Sequence, residues 1–276
     1  MAEPGAEEAE ARYDFYGPHY RRFGSEVAAL MRREVYGEDL GQTGWRTASE
    51  QALIAELLRL GAGARLLDIA CGSGGPSLAM AASTGCAVVG LDIEPAGIAH
   101  AREAAVRRGL ADRCAFEMAD CSGRLPFTDD SFAAMLCADA VSSLPDRAGT
   151  VREWARVLRP GGRLLFTDAL VLTGEVTKPE LDLRASQGVH LIVPVGCNEA
   201  ATAAAGLTLL RVDDTTDAIA WIAGALHDAR DRHAAELMQV EDAAWYGWRQ
   251  RFLAVTAELA RSRRMSRFLY LAEKPA

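Results

Sequence analysis

"LLDIACGSGGPSLAMA", residues 66–81, sets three glycines and a proline directly behind a short apolar run that carries one acid, Asp68. The run "ARLLDIA" (64–70) is almost wholly apolar, the pattern of a parallel strand covered on both faces. Gly72 and Gly74 then turn the chain, and Gly74 leaves room where backbone would meet a ligand. Pro76 suits the first turn of a helix, where an amide hydrogen would have no partner. Strand, glycine turn and helix place backbone amides and a helix N-terminus at the carboxyl end of a sheet, where open α/β folds bind ligands.

The alternation continues on the C-terminal side. "CAVVGLDI" (86–93), "CAFEMAD" (114–120), "FAAMLCAD" (132–139) and "GRLLFTDAL" (162–170) read as strands. A helix over 95–109 is closed by Gly109, and a second carries Val151, Trp154, Ala155, Val157 and Leu158 before a turn at Pro160-Gly161-Gly162. This order predicts an α/β protein with a doubly wound parallel sheet. Two more strands, "LTLLRVDDT" (207–215) and "SRFLYLAEKP" (266–275), flank helical sequence in which Leu237, Val240, Ala244, Trp248, Phe252, Val255 and Leu259 recur at spacings of three and four. One long helix interrupting a strand pair is expected there. An irregular segment, 173–196, follows the fifth strand.

Composition narrows the function. In 276 residues, 50% hydrophobic, no apolar run approaches the ~20 residues of a membrane span. The acidic N-terminus lacks the basic and apolar regions of a secretory signal, so a cytoplasmic protein is expected. Cys71, Cys86, Cys114, Cys121, Cys137 and Cys197 form no C-x-x-C pair and have no histidine at metal spacing, so they read as reduced small hydrophobes and no metal is expected. A net charge of -8 argues against a broad phosphate-binding surface, hence against a nucleic-acid partner. The sequence is silent on oligomeric state.

The glycine loop departs from the dinucleotide fingerprint: after Gly72 and Gly74, Ser77 stands where the third glycine belongs. Asp68, three residues before the turn ends its strand, suits a cation better than a pyrophosphate. Asp92 ends the second strand, where an acid can accept both hydroxyls of a ribose, and Asp120 ends the third, within reach of an adenine amino group. A cationic amino-acid head, a ribose and an adenine add up to S-adenosylmethionine.

At these residues the chain resembles the class I S-adenosylmethionine-dependent methyltransferases. The resemblance runs from about Trp45 to Gly162 and rests on "LDIACGSGG", "GLDI", "MADCSGRLPFTDDSFAAMLCADAVSSLPD" and "EWARVLRPGGRLLFTD". The "GEDLGQTGW" segment (37–45) and the helical insertion before the last strand are similar to the small-molecule branch that includes sarcosine, phosphoethanolamine and sterol-type enzymes. It implies a Rossmann-like seven-stranded sheet with the last strand antiparallel. It also implies that Asp68, Ala70, Gly72 and Gly74 hold the methionine end, Asp92 the ribose, and Asp120 with Cys121 the adenine. Cys71, Ser73, Ile93 and Cys137 complete the implied cofactor set. Residues 1–50 are then an N-terminal helical cap, 51–276 the catalytic domain, and inserts at about 171–198 and 216–262 the cover over a small-molecule acceptor. Many relatives carry histidine before the Leu144-Pro145 pair; this chain has Ser143.

Plainer roles compete at several positions. Asp68 and Asp92 could each cap a helix. Trp45 and Gln42 either line the cofactor pocket or pack the N-terminal segment. Tyr13, Tyr16, His19 and Tyr20 either close over the site or form an amphipathic face. Trp245, Tyr246 and Trp248 suit a substrate wall or a helix core, and "RSRR" (261–264) a solvated helix end or an anion anchor. His190, in the apolar "VHLIVPV", reads as a satisfied structural histidine ahead of a base. For a base, Asp139 is best placed by topology, followed by His190 and Tyr20; acceptors at oxygen, nitrogen and carbon all remain open.

Overall fold

In the computed structural model, which describes residues 16–187 and 190–276, three helices precede the first strand: α1 (Tyr16–Arg22), α2 (Glu26–Tyr36) and α3 (Ala48–Leu57). The side chains of Ser25 and Thr47 start α2 and α3 by accepting from amides three residues on, donors that a helix start otherwise leaves open. Residue 50, where the sequence suggests a boundary, therefore lies inside the first turn of α3.

The alternating elements follow as β1 (Arg65–Ile69), α4 (Gly75–Thr84), β2 (Ala87–Asp92), α5 (Pro95–Arg107), β3 (Cys114–Met118), β4 (Phe132–Cys137), α6 (Arg147–Val157) and β5 (Leu158–Leu172). These five strands pair in parallel in the order β3-β2-β1-β4-β5. The order reverses between β1 and β4, so their carboxyl ends open a crevice. The chain continues through α7 (Lys178–Arg184), β6 (Val193–Pro194), α8 (Cys197–Ala204), β7 (Thr208–Asp214), α9 (Thr216–Arg232), α10 (Ala234–Leu237), α11 (Ala243–Arg261) and β8 (Met265–Glu273). β8 runs antiparallel between β5 and β7, which gives the expected seven strands with the last reversed; the two-residue β6 adds an eighth beside β5.

Two local expectations change. The Pro160-Gly161-Gly162 turn is a bulge inside β5: Phe132 pairs with Leu158 and Ala134 with Arg163, and Gly161 takes a φ of 71° within the extra length. The long helix of the second insert is broken. Asp242 starts α11 by accepting from the Trp245 amide at 2.8 Å, which leaves Leu237 on α10 and Val240 between the two helices.

Alternate residues of β1 feed opposite faces of the sheet. Leu67 and Ile69 join Trp154, Phe166 and Tyr270 on one; Leu66 joins Ile54, Leu78 and Phe116 on the other. A third cluster sets Met31 and Val35 of α2 against Ile222 of α9 and Phe252 and Leu253 of α11. Phe252 and Leu253 are fully buried, which stabilises the layer by about 1.5–3 kcal/mol each. The N-terminal helices and the second insert thus share one core.

Candidate active site

Behind β1 the backbone is forced into the left-handed region three times, at Ala70, Gly72 and Gly74, with φ of 55°, 57° and 69°. A Cβ on Gly72 would collide with the Tyr20 hydroxyl, so that glycine lets α1 close over the loop. Gly74 differs from expectation. A Cβ there would lie 2.7 Å from the Cβ of Ala101 and from the Phe116 ring, so packing against α5 and β3 excludes a side chain, and no ligand need be invoked. Residues 39–41 cross the same loop. A Cβ on Gly75 would overlap the Leu40 carbonyl oxygen, and the Ser73 hydroxyl donates to Gly41 O at 2.6 Å. Asp39 anchors this crossing: it accepts from Arg32 Nε at 2.6 Å and from the Gly41 amide at 2.9 Å.

Asp68 lies behind the loop and accepts from the hydroxyl of Ser77, the residue that replaces the third glycine of the dinucleotide pattern. Burial raises its carboxyl to about 6, against the opposing pull of Ser77 and Arg46. Arg46 is itself half-buried, and its buried Nη1 has no hydrogen-bond partner among the described residues. Sequence reading missed Arg46, which belongs to no motif. Cys71 and Cys137 sit in the two sheet cores and do not reach the cavity described next.

A cavity of about 360 Å³ opens at the carboxyl ends of the strands, within the ~300–1,000 Å³ of small-molecule sites. Ala70, Asp92, Ile93, Asp120 and Cys121 form its floor. Asp92 accepts from the amides of Gly72 at 2.8 Å and Glu94 at 2.9 Å, while Glu94 caps α5, so Asp92 is not the cap of that helix. Burial raises the Asp92 carboxyl in spite of those donors. Asp120 accepts from the Ser122 amide at 2.8 Å. Tyr16, His19, Tyr20, Gln42 and Trp45 close the cavity from the N-terminal side; Tyr13 lies outside the described residues. Gln42 also braces its own loop, accepting from the Leu40 amide and donating to Glu38 O.

The three base candidates fall in different surroundings. Asp139 borders the cavity, but its carboxylate accepts from Arg267 Nε at 2.7 Å, Thr167 Oγ1 at 2.8 Å and the Trp45 amide at 2.9 Å. Burial alone would raise its pKa; the charge and donors of Arg267 outweigh that and hold it below the usual range, so it is a poor proton acceptor. The Tyr20 phenol is raised well above its ordinary value by burial and the nearby Asp92, and stays protonated above the glycine loop. His190 is different. Its Nδ1 lies 3.2 Å from Ser143 Oγ, while Nε2 is buried without a partner among the described residues. Burial, then Arg184, lowers it to about 4, which leaves the ring neutral at pH 7. Ser143, the residue before the Leu144-Pro145 pair, thus meets a histidine brought from the first insert.

From the second insert only Trp245 of the expected aromatic wall borders the cavity. Tyr246 turns away to Arg230 O and Asp231, and Trp248 Nε1 donates to Ser186 Oγ at 3.0 Å. Near "RSRR", Arg263 pairs with Asp214 and Asp217 and Arg264 with Glu180, so these two cations are neutralised by the fold.

A family model described as a methyltransferase domain matches residues 67–166, from β1 into β5, and leaves the N-terminal helices and both inserts outside. The chain is 33% identical over 205 residues to 27-O-demethylrifamycin SV methyltransferase of Amycolatopsis mediterranei, covering 70% of this chain and 75% of the relative. It is 30% identical to sterol 24-C-methyltransferase ERG6B of Gibberella zeae, over 66% of this chain and 48% of that one. The chain spans three quarters of the first relative and about half of the second. Among solved structures, the cyclopropane synthase MmaA2 from Mycobacterium tuberculosis matches with a TM-score of 0.81 at 18% identity, covering 95% of this chain and 98% of its own.

Proposed function

This chain belongs to the S-adenosylmethionine-dependent methyltransferases, and from that premise we propose that it methylates a hydroxyl of a small-molecule metabolite with His190 as the base. The cavity carries this reading: it is bounded by strand-end acids on one side and by the N-terminal helices and both inserts on the other, a space suited to a small acceptor. The acidic balance and the enclosure both disfavour a nucleic acid. The relative that acts at a 27-O position supports an oxygen acceptor. In this scheme the described residues of the N-terminal segment, 16–50, and of the inserts at 171–198 and 216–262 form the cover. No helix of the described residues is long and apolar enough to cross a membrane, and we place the enzyme in the cytoplasm, consistent with six free thiols.

The residues fit the donor. Asp68 and the unpartnered Arg46 Nη1 complement the ammonium and carboxylate of an amino-acid head, while Asp92 and Asp120 suit ribose and adenine. When bound, S-adenosylmethionine supplies a methyl group already activated on a sulfonium, so alignment does most of the work. With Nδ1–H donated to Ser143, His190 keeps Nε2 as an acceptor for the hydroxyl proton released as oxygen takes the methyl. A labelled-methyl assay on a small-molecule extract tests the reading. Transfer to a small molecule is expected, with His190→Ala lowering kcat about 100-fold or more at unchanged donor affinity. Because the neutral ring is required, kcat at saturating donor should fall only below about pH 5, as pH approaches the value of about 4. Label found only in RNA or protein, or full turnover by His190→Ala, would overturn it.

A further inference from the structure

The cavity wall facing the sheet is positively charged in a way that the fold does not neutralise. Arg184 ends α7 and is only 5% exposed. Its guanidinium makes one long hydrogen bond, Nη2 to Ala169 O at 3.4 Å, and no ion pair among the described residues. It lies instead over aromatic rings, 5.3 Å from the centre of Phe252 and 5.9 Å from that of Trp45. Arg249, from α11, flanks the same Phe252 ring at 5.0 Å and makes no hydrogen bond or ion pair among the described residues. Both border the cavity.

Of the other arginines that border the cavity, Arg22 lies 5.1 Å over the Trp245 ring with no ion pair among the described residues, and the remaining two are paired within the fold. Arg230 pairs with Glu241, and Arg32 with Asp39. Of the acids that border the cavity, Asp92, Glu94 and Asp120 lie at the donor's end, and Asp139 is engaged by Arg267. Burial lowers Arg184 and Arg249 to about 10 each, with Arg230 adding to the effect at Arg249. Both therefore remain cations at pH 7. Leaving charged guanidinium groups in a buried wall without a carboxylate is costly, and the cost is recovered when an anion arrives to take their hydrogen bonds.

We propose that Arg184 and Arg249 form the acceptor's anchoring subsite and that the acceptor carries an anionic group, a carboxylate or phosphate, beside an apolar body. Among the aromatic groups that border the cavity, Trp45 and Trp245 suit that body. The arrangement separates charges along the cavity: acids toward the cationic donor, arginines toward the acceptor. This rests on the small-molecule reading above.

The test uses full-length protein saturated with S-adenosylhomocysteine and calorimetric titration with octanoate, octyl phosphate and octanol. At least one anion is expected to bind ten-fold or more tightly than octanol; octanoate ahead assigns a carboxylate, octyl phosphate ahead a phosphate. Arg249→Gln and Arg184→Gln should each erase most of that preference. Arg249 makes no hydrogen bond or ion pair among the described residues, so Arg249→Gln without ligand should melt within about 3 °C of wild type. If Arg184→Gln does not fold, Arg184→Lys replaces it, keeping charge but not the planar fork, and should lose part of the preference. Equal affinity for all three probes in wild type, failure of both anions to bind, or a preference that survives in folded Arg249→Gln and the Arg184 variant would overturn the inference. Failure to bind S-adenosylhomocysteine at the outset would instead remove the methyltransferase reading beneath it.

Discussion

Two carboxylates, Asp68 inside β1 and Asp139 two residues past the end of β4, are driven in opposite directions. Asp68, buried behind the glycine loop, is raised to about 6, while Asp139, held by Arg267, stays below the ordinary range. Their contributions to stability therefore have opposite signs. Asp68 favours the fold below about pH 4, the unfolded value, and withdraws that contribution as pH rises through 6. Asp139 contributes above about pH 4 and loses its contribution as pH falls through its lower folded value. The first has a functional reading. An ammonium group prefers the ionised form of Asp68, so S-adenosylmethionine affinity should fall about ten-fold between pH 7 and pH 5. Calorimetry at the two values measures it, and Asp68→Asn should flatten the dependence. A wild-type affinity that does not change would separate Asp68 from the methionine end.

At the scale of elements, the network around Arg267 joins pieces that the sequence keeps far apart. This fully buried side chain of β8 donates to Asp139 after β4 and to both oxygens of Glu50 on α3, at 2.7 and 2.8 Å. Removing one partner from a buried set strands the others, so Arg267→Met should cost about 3–5 kcal/mol. Adding Asp139→Asn and Glu50→Gln should recover most of that in a melting experiment; a single variant that melts like wild type would show the network to be idle. The strands were legible because near-continuous apolar runs and glycine turns mark them without reference to anything distant. Arg267 was not, because a lone arginine near the start of "SRFLYLA" reads as an exposed strand end and its partners lie 128 and 217 positions away. The break between α10 and α11 was missed for a related reason: apolar spacing persists across it, since Leu237 and Phe252 still face one core.

Across the whole molecule, legibility divides along the cavity. Its floor is built from consecutive strand ends, so Asp92 and Asp120 could be read in chain order. The opposite wall gathers Arg184, His190, Trp245 and Arg249 from two inserts whose local patterns say only helix or irregular chain. His190 needed the third dimension to meet Ser143, and Arg249 reads as an ordinary exposed helix residue until α11 packs.

Residues 39–41 cross the glycine loop, with Leu40 O against Gly75 and Gly41 O on Ser73. On the proposed placement of the donor, its spent form would leave only as that crossing swings aside, and the pairing of Asp39 with Arg32 would resist the swing. Methyl transfer should accordingly outrun product escape, giving a rapid first turnover followed by a slower steady phase. Asp39→Ala should shrink that burst by quickening escape of S-adenosylhomocysteine. A stopped-flow trace with no burst in wild type, or an escape rate indifferent to Asp39, would mean that the crossing opens freely and the clock of the enzyme lies in its chemistry.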